Sequence, residues 1–106
     1  GTSLHEYIDI DKVRVLNSTN PTNVKNVFRP WDQRKQLDVE SLDSEDDDPE
    51  MIIFIPFTSD VKIRSIMIVG GDDDTSPDKL KVFTNREDID FTCVNDVAPV
   101  QEWEIL

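Results

Sequence analysis

Three consecutive aspartates, Asp72 to Asp74, are the residues whose type and spacing most directly suggest a metal site. Ca²⁺ binds several carboxylate oxygens, and an EF-hand loop needs glycine at its sixth position and glutamate at its twelfth. Starting the loop at Asp72 places Pro77 sixth and Phe83 twelfth, so the EF-hand template fails. A calcium site of another kind and a solvated turn remain open. The glycine pair at 70–71 and the Ser76-Pro77 pair favour the turn, and we predict no metal site.

Side chains that commonly act in catalysis are few. His5 is the only histidine and Cys93 the only cysteine, and they lie far apart in the sequence. They cannot close a structural zinc site, and no pattern links them as a nucleophilic pair. The carboxylates lie in polar runs, which favour ionised groups over the raised pKa of a glycosidase acid. We therefore predict no enzyme and no cofactor, with Cys93 as a small buried residue in a strand.

Charge and length narrow the class of protein and of partner. A chain of 106 residues is about one domain. Eleven Lys and Arg against 23 Asp and Glu give a net charge of −12, which disfavours nucleic acids and anionic membrane surfaces. A single cysteine fits a reducing compartment, so we expect the cytoplasm or the nucleus. The first residues do not resemble a signal peptide, and we expect no targeting segment there.

Runs of β-branched and aromatic residues predict five strands, at 51–57, 61–69, 80–85, 91–94 and 103–106. The polar turn at 58–60 suggests that the first two form a hairpin, with a bulge near Arg64 where the alternation slips. Nearer the N-terminus, a helical turn followed by a strand through Val13 and Val15 is expected. Short strands at regular spacing predict an all-β sandwich.

Residues 37–50, here called the acidic segment, hold eight acidic side chains in fourteen positions. Self-repulsion predicts that this segment is an extended and mobile loop within the domain. Ser44 is followed by Glu45, Asp46 and Asp47, a pattern that acidophilic kinases recognise.

Trp31 lies in the stretch VFRPWDQR (27–34), between Arg29 and Arg34. Two readings are open: an exposed Trp that anchors a partner, or a loop whose Trp covers the core. We expect the second.

Several stretches together resemble the PITH domain family: YIDIDKVRVLN, VFRPWDQR, IIFIPFTSDVKIRSIMIVGGDDDTSPDKLKVFTNREDIDF and VNDVAPVQEWEI. The resemblance extends over nearly all of residues 1–106, as a single domain. It implies a jelly-roll β-sandwich similar to galactose-binding-like domains, no catalysis, and association with the regulatory particle of the 26S proteasome. PITH domains continue through a further strand-rich stretch, so we expect a sandwich that is incomplete at the C-terminus and exposes apolar faces.

We therefore predict a protein-interaction module whose acidic surface meets basic patches on a protein partner such as a proteasome regulatory subunit. The candidate contact residues are Trp31, Asp46, Asp47, Asp48, Asp72, Asp73 and Asp74. The alternative is a carbohydrate-binding or calcium-dependent lectin-like module, with Trp31 and Trp103 as aromatic platforms and Asp72 to Asp74 as the calcium site.

Overall fold

The computed structural model describes residues 3–33, 40–70 and 77–105. It divides into two compact units, Gly1–Met67 and Ile68–Leu106. The described elements are antiparallel strands and short helical turns, in agreement with the predicted all-β class. Within the described residues, no helix is both long enough and apolar enough to cross a membrane.

An antiparallel strand pair organises the first unit. Strand β1 (Arg14–Leu16) pairs with β2 (Ile52–Phe54), with Val15 opposite Ile53. Arg14 lies opposite Phe54, and its guanidinium stacks 3.8 Å from the centroid of the ring. A cation over an aromatic face stabilises the pair by about 0.5–1 kcal/mol at an exposed position. The predicted strand through Val13 and Val15 is thus confirmed, as Arg14–Leu16.

The pairing continues beyond β1 toward the N-terminus. Ile8 forms a bridge with Phe57, the Asp9 amide donates to the Pro56 carbonyl at 2.9 Å, and the Thr58 amide donates to the Tyr7 carbonyl at 2.8 Å. The predicted helical turn is present as two short 3₁₀ turns, His5–Tyr7 and Ile10–Lys12.

A helical segment follows β1. A 3₁₀ turn, Pro21–Asn23, leads into the short helix α1 (Val24–Val27), and the fixed φ of Pro21 suits the first helical position. Val24 is buried, as is Val13 just before β1. A last 3₁₀ turn, Trp31–Gln33, completes the described part of this region.

The second unit contains strands β3 (Lys79–Val82) and β4 (Gln101–Glu104), paired antiparallel with Leu80 opposite Trp103. Leu80 and Val82 are half-buried and Lys79 and Lys81 are exposed, as the alternation in the sequence predicts. The strands predicted at 80–85 and 103–106 are both confirmed, with shifted ends. Leu106 lies outside the described residues.

The predicted strand at 61–69 is wrong, and so are its hairpin and its bulge. Residues 52–54 pair with β1 instead, and residues 58–70 contain no strand. This apolar run consequently leaves large side chains in solvent, including Ile63 at 47% and Met67 at 54% exposure.

The predicted strand at 91–94 is also wrong, because Asp90 initiates a turn there. Its carboxylate accepts hydrogen bonds from the Thr92 amide and hydroxyl, and its carbonyl accepts from the Cys93 and Val94 amides. Asp side chains compete with strand ladders in this way. Cys93 is half-buried in the turn, not in a strand.

An exposed ion pair in the second unit yields a titration prediction. Arg86 Nε and Nη2 donate to the two carboxylate oxygens of Asp88 at 2.8 and 2.7 Å. These hydrogen bonds lower the pKa of Asp88 from 3.8 to about 2. The resulting stabilisation is present above pH 3.8 and is lost as the pH falls toward 2.

In the variant Arg86→Gln we expect the pKa of Asp88 to return toward its ordinary value, as measured by NMR titration of the side-chain carboxyl carbon. The matched control is Arg64→Gln, in the same protein. An Asp88 pKa that does not change in Arg86→Gln would contradict the bidentate pair.

Candidate functional site

The acidic segment presents its charges to solvent. The structure describes its residues 40–50, in which every Asp and Glu is exposed and no Lys or Arg occurs. The ion pairs described in the first unit join Lys12 to Asp9 and Lys25 to Asp11, both outside the segment. Among the described residues, the carboxylates of residues 40–50 are therefore exposed and in no ion pair.

Four asparagines, Asn17, Asn20, Asn23 and Asn26, hold the acidic segment and are here called the asparagine ladder. The Nδ2 atom of Asn17 donates to the Glu50 carbonyl at 2.7 Å. Asn20 and Asn23 both donate to the Ser41 carbonyl, at 2.9 and 3.0 Å. At the other end, Asn26 donates to the Glu40 carbonyl at 3.3 Å. Neutral amide groups thus bind the main chain of the segment, and no ion pair between described residues involves the carboxylates of residues 40–50.

Main-chain contacts strengthen the same attachment. Ser18 and Ser44 form an antiparallel bridge, flanked by hydrogen bonds from the Thr19 amide to the Asp43 carbonyl and from the Glu45 amide to the Asn17 carbonyl, both 3.1 Å. Ser18 Oγ also donates to the Asp43 carbonyl at 2.7 Å. Residues 40–50 form a loop, as predicted, with one bridge and one turn, and these contacts oppose the self-repulsion of the segment. The mobility of the loop stays a prediction. Residues 37–39 lie outside the described residues.

Asn17 has a second role, because its φ is +70° directly after β1. Asparagine tolerates this left-handed conformation better than other residues with a Cβ atom. The conformation ends the strand, while the side chain donates to the acidic segment.

Asp46 and Asp47 form the tip of the acidic segment. They are the central residues of a turn that the Asp48 amide closes by donating to the Glu45 carbonyl at 3.1 Å. The Asp48 carboxylate accepts a hydrogen bond from the Glu50 amide at 3.2 Å. Of the three predicted contact residues, Asp46 and Asp47 are therefore displayed at the tip, while Asp48 also supports the turn.

Trp31 is 57% exposed, so the expectation that it covers the core is wrong. Its role as an anchor for a partner stays a prediction. Its 3₁₀ turn is closed by the Gln33 amide, which donates to the Pro30 carbonyl at 2.9 Å. Arg29 Nε donates to the carbonyl of Asn26, the last rung of the asparagine ladder, at 3.0 Å. The ladder and the Trp31 turn are thus consecutive parts of one chain segment.

The remaining predicted contacts, Asp72, Asp73 and Asp74, lie outside the described residues, as does any calcium site that they would form. Within the described parts of the chain, no cluster of three or more His, Cys, Asp or Glu side chains could hold a metal ion.

A depression of about 400 Å³ lies beside β1 and α1. Its lining residues are Val13, Arg14, Val15, Pro21, Thr22, Val24 and Lys25. This lining contains no aromatic side chain, and so it lacks the stacking platform that the lectin-like alternative requires.

The asparagine ladder was not predicted from the sequence. Its four residues recur at every third position, a spacing that places side chains on one face of a 3₁₀ turn. This recurrence opposite a run of acidic residues is the signal that could have identified it.

Comparison with known proteins gives one consistent result. The family model described as "PITH domain" matches residues 1–106. The chain is 40% identical over 105 residues to "PITH domain-containing protein 1" of Dictyostelium discoideum. The alignment covers 97% of this chain and 50% of that protein. The chain is 37% identical over 105 residues to "PITH domain-containing protein CG6153" of Drosophila melanogaster, covering 97% and 47%. The human "PITH domain-containing protein 1" is 33% identical over 88 residues, covering 83% and 41%.

The chain therefore spans about half the length of the curated relatives it matches. No solved structure gives a significant match.

Proposed function

The chain belongs to the PITH domain family, and from this premise we propose that it is a non-catalytic protein-interaction module that associates with the regulatory particle of the 26S proteasome. The relatives' names state a domain and no enzymatic activity. The resemblance noted in the sequence further suggests a jelly-roll sandwich similar to galactose-binding-like domains, acting as one domain in the cytoplasm or the nucleus. The two antiparallel strand pairs are compatible with such a sandwich.

The observation that carries the proposal is the attachment of the acidic segment by neutral donors. The asparagine ladder binds carbonyl groups of the segment, and among the described residues the carboxylates of Asp46 and Asp47 form no ion pair. A fixed cluster of like charge attracts a basic surface and orients it before contact.

In the proposed interface, Trp31 supplies an apolar contact in addition to the charged tip of the acidic segment. Trp is enriched among the residues that dominate binding energy at interfaces, where a large ring fills a pocket on the partner. More than half of its surface is exposed, and it follows the asparagine ladder in the chain. In this proposal the acidic tip governs the association rate and Trp31 contributes to the lifetime of the complex.

The experiment is a binding measurement between the chain and purified proteasome regulatory particle over a series of salt concentrations. We expect the double variant Asp46→Lys/Asp47→Lys to lower the association rate about tenfold at low salt, with a smaller effect as salt screens the charges. The matched control is Glu87→Lys/Asp96→Lys, which makes the same change of net charge at exposed positions in the second unit.

Equal rates for the two double variants would show that only net charge matters and that the acidic tip is not the contact. A wild-type chain that is folded, as judged by circular dichroism, and does not bind the particle would contradict the proteasome partner itself.

A further inference from the structure

We propose that Ser44 is a phosphorylation site for an acidophilic serine kinase, and that a phosphate on Ser44 loosens the acidic segment from the asparagine ladder. The proposal concerns a modification of the chain and is independent of which partner the chain binds.

Recognition would depend on the residues that follow Ser44. Glu45, Asp46, Asp47 and Asp48 occupy the next four positions, and all four side chains are exposed. A kinase whose substrate cleft is lined by basic residues reads such a run by charge complementarity. Ser41, in the same segment, is followed by Leu42 and Asp43 and lacks the acidic run, which makes it an internal comparison.

Access to Ser44 requires a local opening of the segment, in which the bridge to Ser18 and nearby contacts of the asparagine ladder are broken. Ser44 is half-buried, and its bridge to Ser18 is a single isolated pair and not part of a longer strand. The two flanking main-chain hydrogen bonds are 3.1 Å long and lie at the protein surface. Short surface pairings of this kind open at a small fraction of the free energy of global unfolding, so the segment can enter a kinase cleft in extended form.

The chemical step is an ordinary phosphoryl transfer from ATP. Ser44 Oγ attacks the γ-phosphorus, and the bond between that phosphorus and the oxygen bridging it to the β-phosphate breaks. ADP leaves, and the hydroxyl proton passes to a general base of the kinase. The product carries a phosphoserine with about −1.5 to −2 charges at pH 7.

The effect of a phosphate on Ser44 depends on the groups that hold the acidic segment. The described groups that donate to residues 40–50 from outside the segment are amides and hydroxyls of residues 17–26, and none of them is a cation. Among the described contacts of the segment no cation is in place for a phosphate on Ser44, whose neighbours in the sequence are the acidic residues Asp43 and Glu45. Like-charge repulsion then favours the open form of the segment.

The test uses the whole chain, ATP and a purified acidophilic serine kinase of the casein kinase type, with the site mapped by mass spectrometry. We expect one phosphate on Ser44, no incorporation in Ser44→Ala, and full incorporation in Ser41→Ala. Asp47→Asn, which leaves Ser44 in place, is expected to slow the reaction several-fold. Circular dichroism on each variant checks that it is folded.

No phosphate on the wild-type chain, or equal incorporation into wild type and Ser44→Ala, would overturn the assignment of the site. The structural effect is read by amide hydrogen exchange on the phosphorylated chain. We expect the Glu45 and Thr19 amides to exchange on the order of tenfold faster, the loss of about one net hydrogen bond. Unchanged exchange at both amides would overturn the loosening.

Discussion

The variant Asn17→Ala is expected to release one end of the acidic segment and to lower the free energy of unfolding by about 2 kcal/mol. Two effects contribute. Alanine removes the side-chain donor to the Glu50 and Asp48 carbonyls, and its Cβ atom disfavours the φ of +70° at the end of β1. Urea unfolding of the wild type and the variant measures the difference.

The two contributions are separable because glycine accepts the same backbone conformation. Asn17→Gly removes the hydrogen bonds without the steric cost of a left-handed alanine. Its free energy of unfolding should therefore lie between that of the wild type and that of Asn17→Ala. The control Asn95→Ala removes an asparagine from the second unit, where its side chain accepts a 3.5 Å hydrogen bond from exposed Lys81. An Asn17→Ala variant as stable as Asn95→Ala would contradict the structural role of Asn17.

The variant Ile89→Ala is expected to lower the free energy of unfolding by about 3 kcal/mol, since it removes buried methyl groups and leaves a cavity. Ile89 is 4% exposed and is the buried apolar residue described in the second unit. A domain of this size has a total stability of about 5–15 kcal/mol, so the loss is a large fraction of it. Thermal unfolding by circular dichroism measures the effect as a lower Tm.

The control for this variant is Val100→Ala, in the same unit, where the side chain is 63% exposed. A surface truncation of this kind changes stability by about 0.5 kcal/mol or less. Similar Tm values for Ile89→Ala and Val100→Ala would show that Ile89 is not part of a packed core.

Local sequence signals predicted the strands that have alternating faces. Leu80 and Val82 alternate with Lys79 and Lys81, and this period of two appears in the structure as β3. The run at 61–69 has the composition of a strand but no pairing partner among the described residues, and pairing depends on distant parts of a chain. At 91–94 the hydrogen bonds that Asp90 accepts stabilise a turn, although Phe and Val favour strands.

The exposed residues of the candidate site could be predicted from their types, but the contacts that hold the acidic segment could not. Asp46, Asp47 and Trp31 were identified because charge and aromatic character can be read from any sequence, and the structure leaves all three exposed. What holds the acidic segment could not be inferred from its own composition. The asparagine side chains act over separations of 14 to 33 residues, which local reasoning does not reach.

The asparagine ladder is expected to hold the acidic segment as an ordered surface. Amide hydrogen exchange of the wild type and of Asn17→Ala tests it most directly, residue by residue. In the wild type we expect slow exchange at the Glu45 and Thr19 amides and fast exchange at the tip residues Asp46 and Asp47, with the slow amides accelerated in Asn17→Ala. Exchange at Glu45 and Thr19 as fast as at the tip in the wild-type protein would contradict the account.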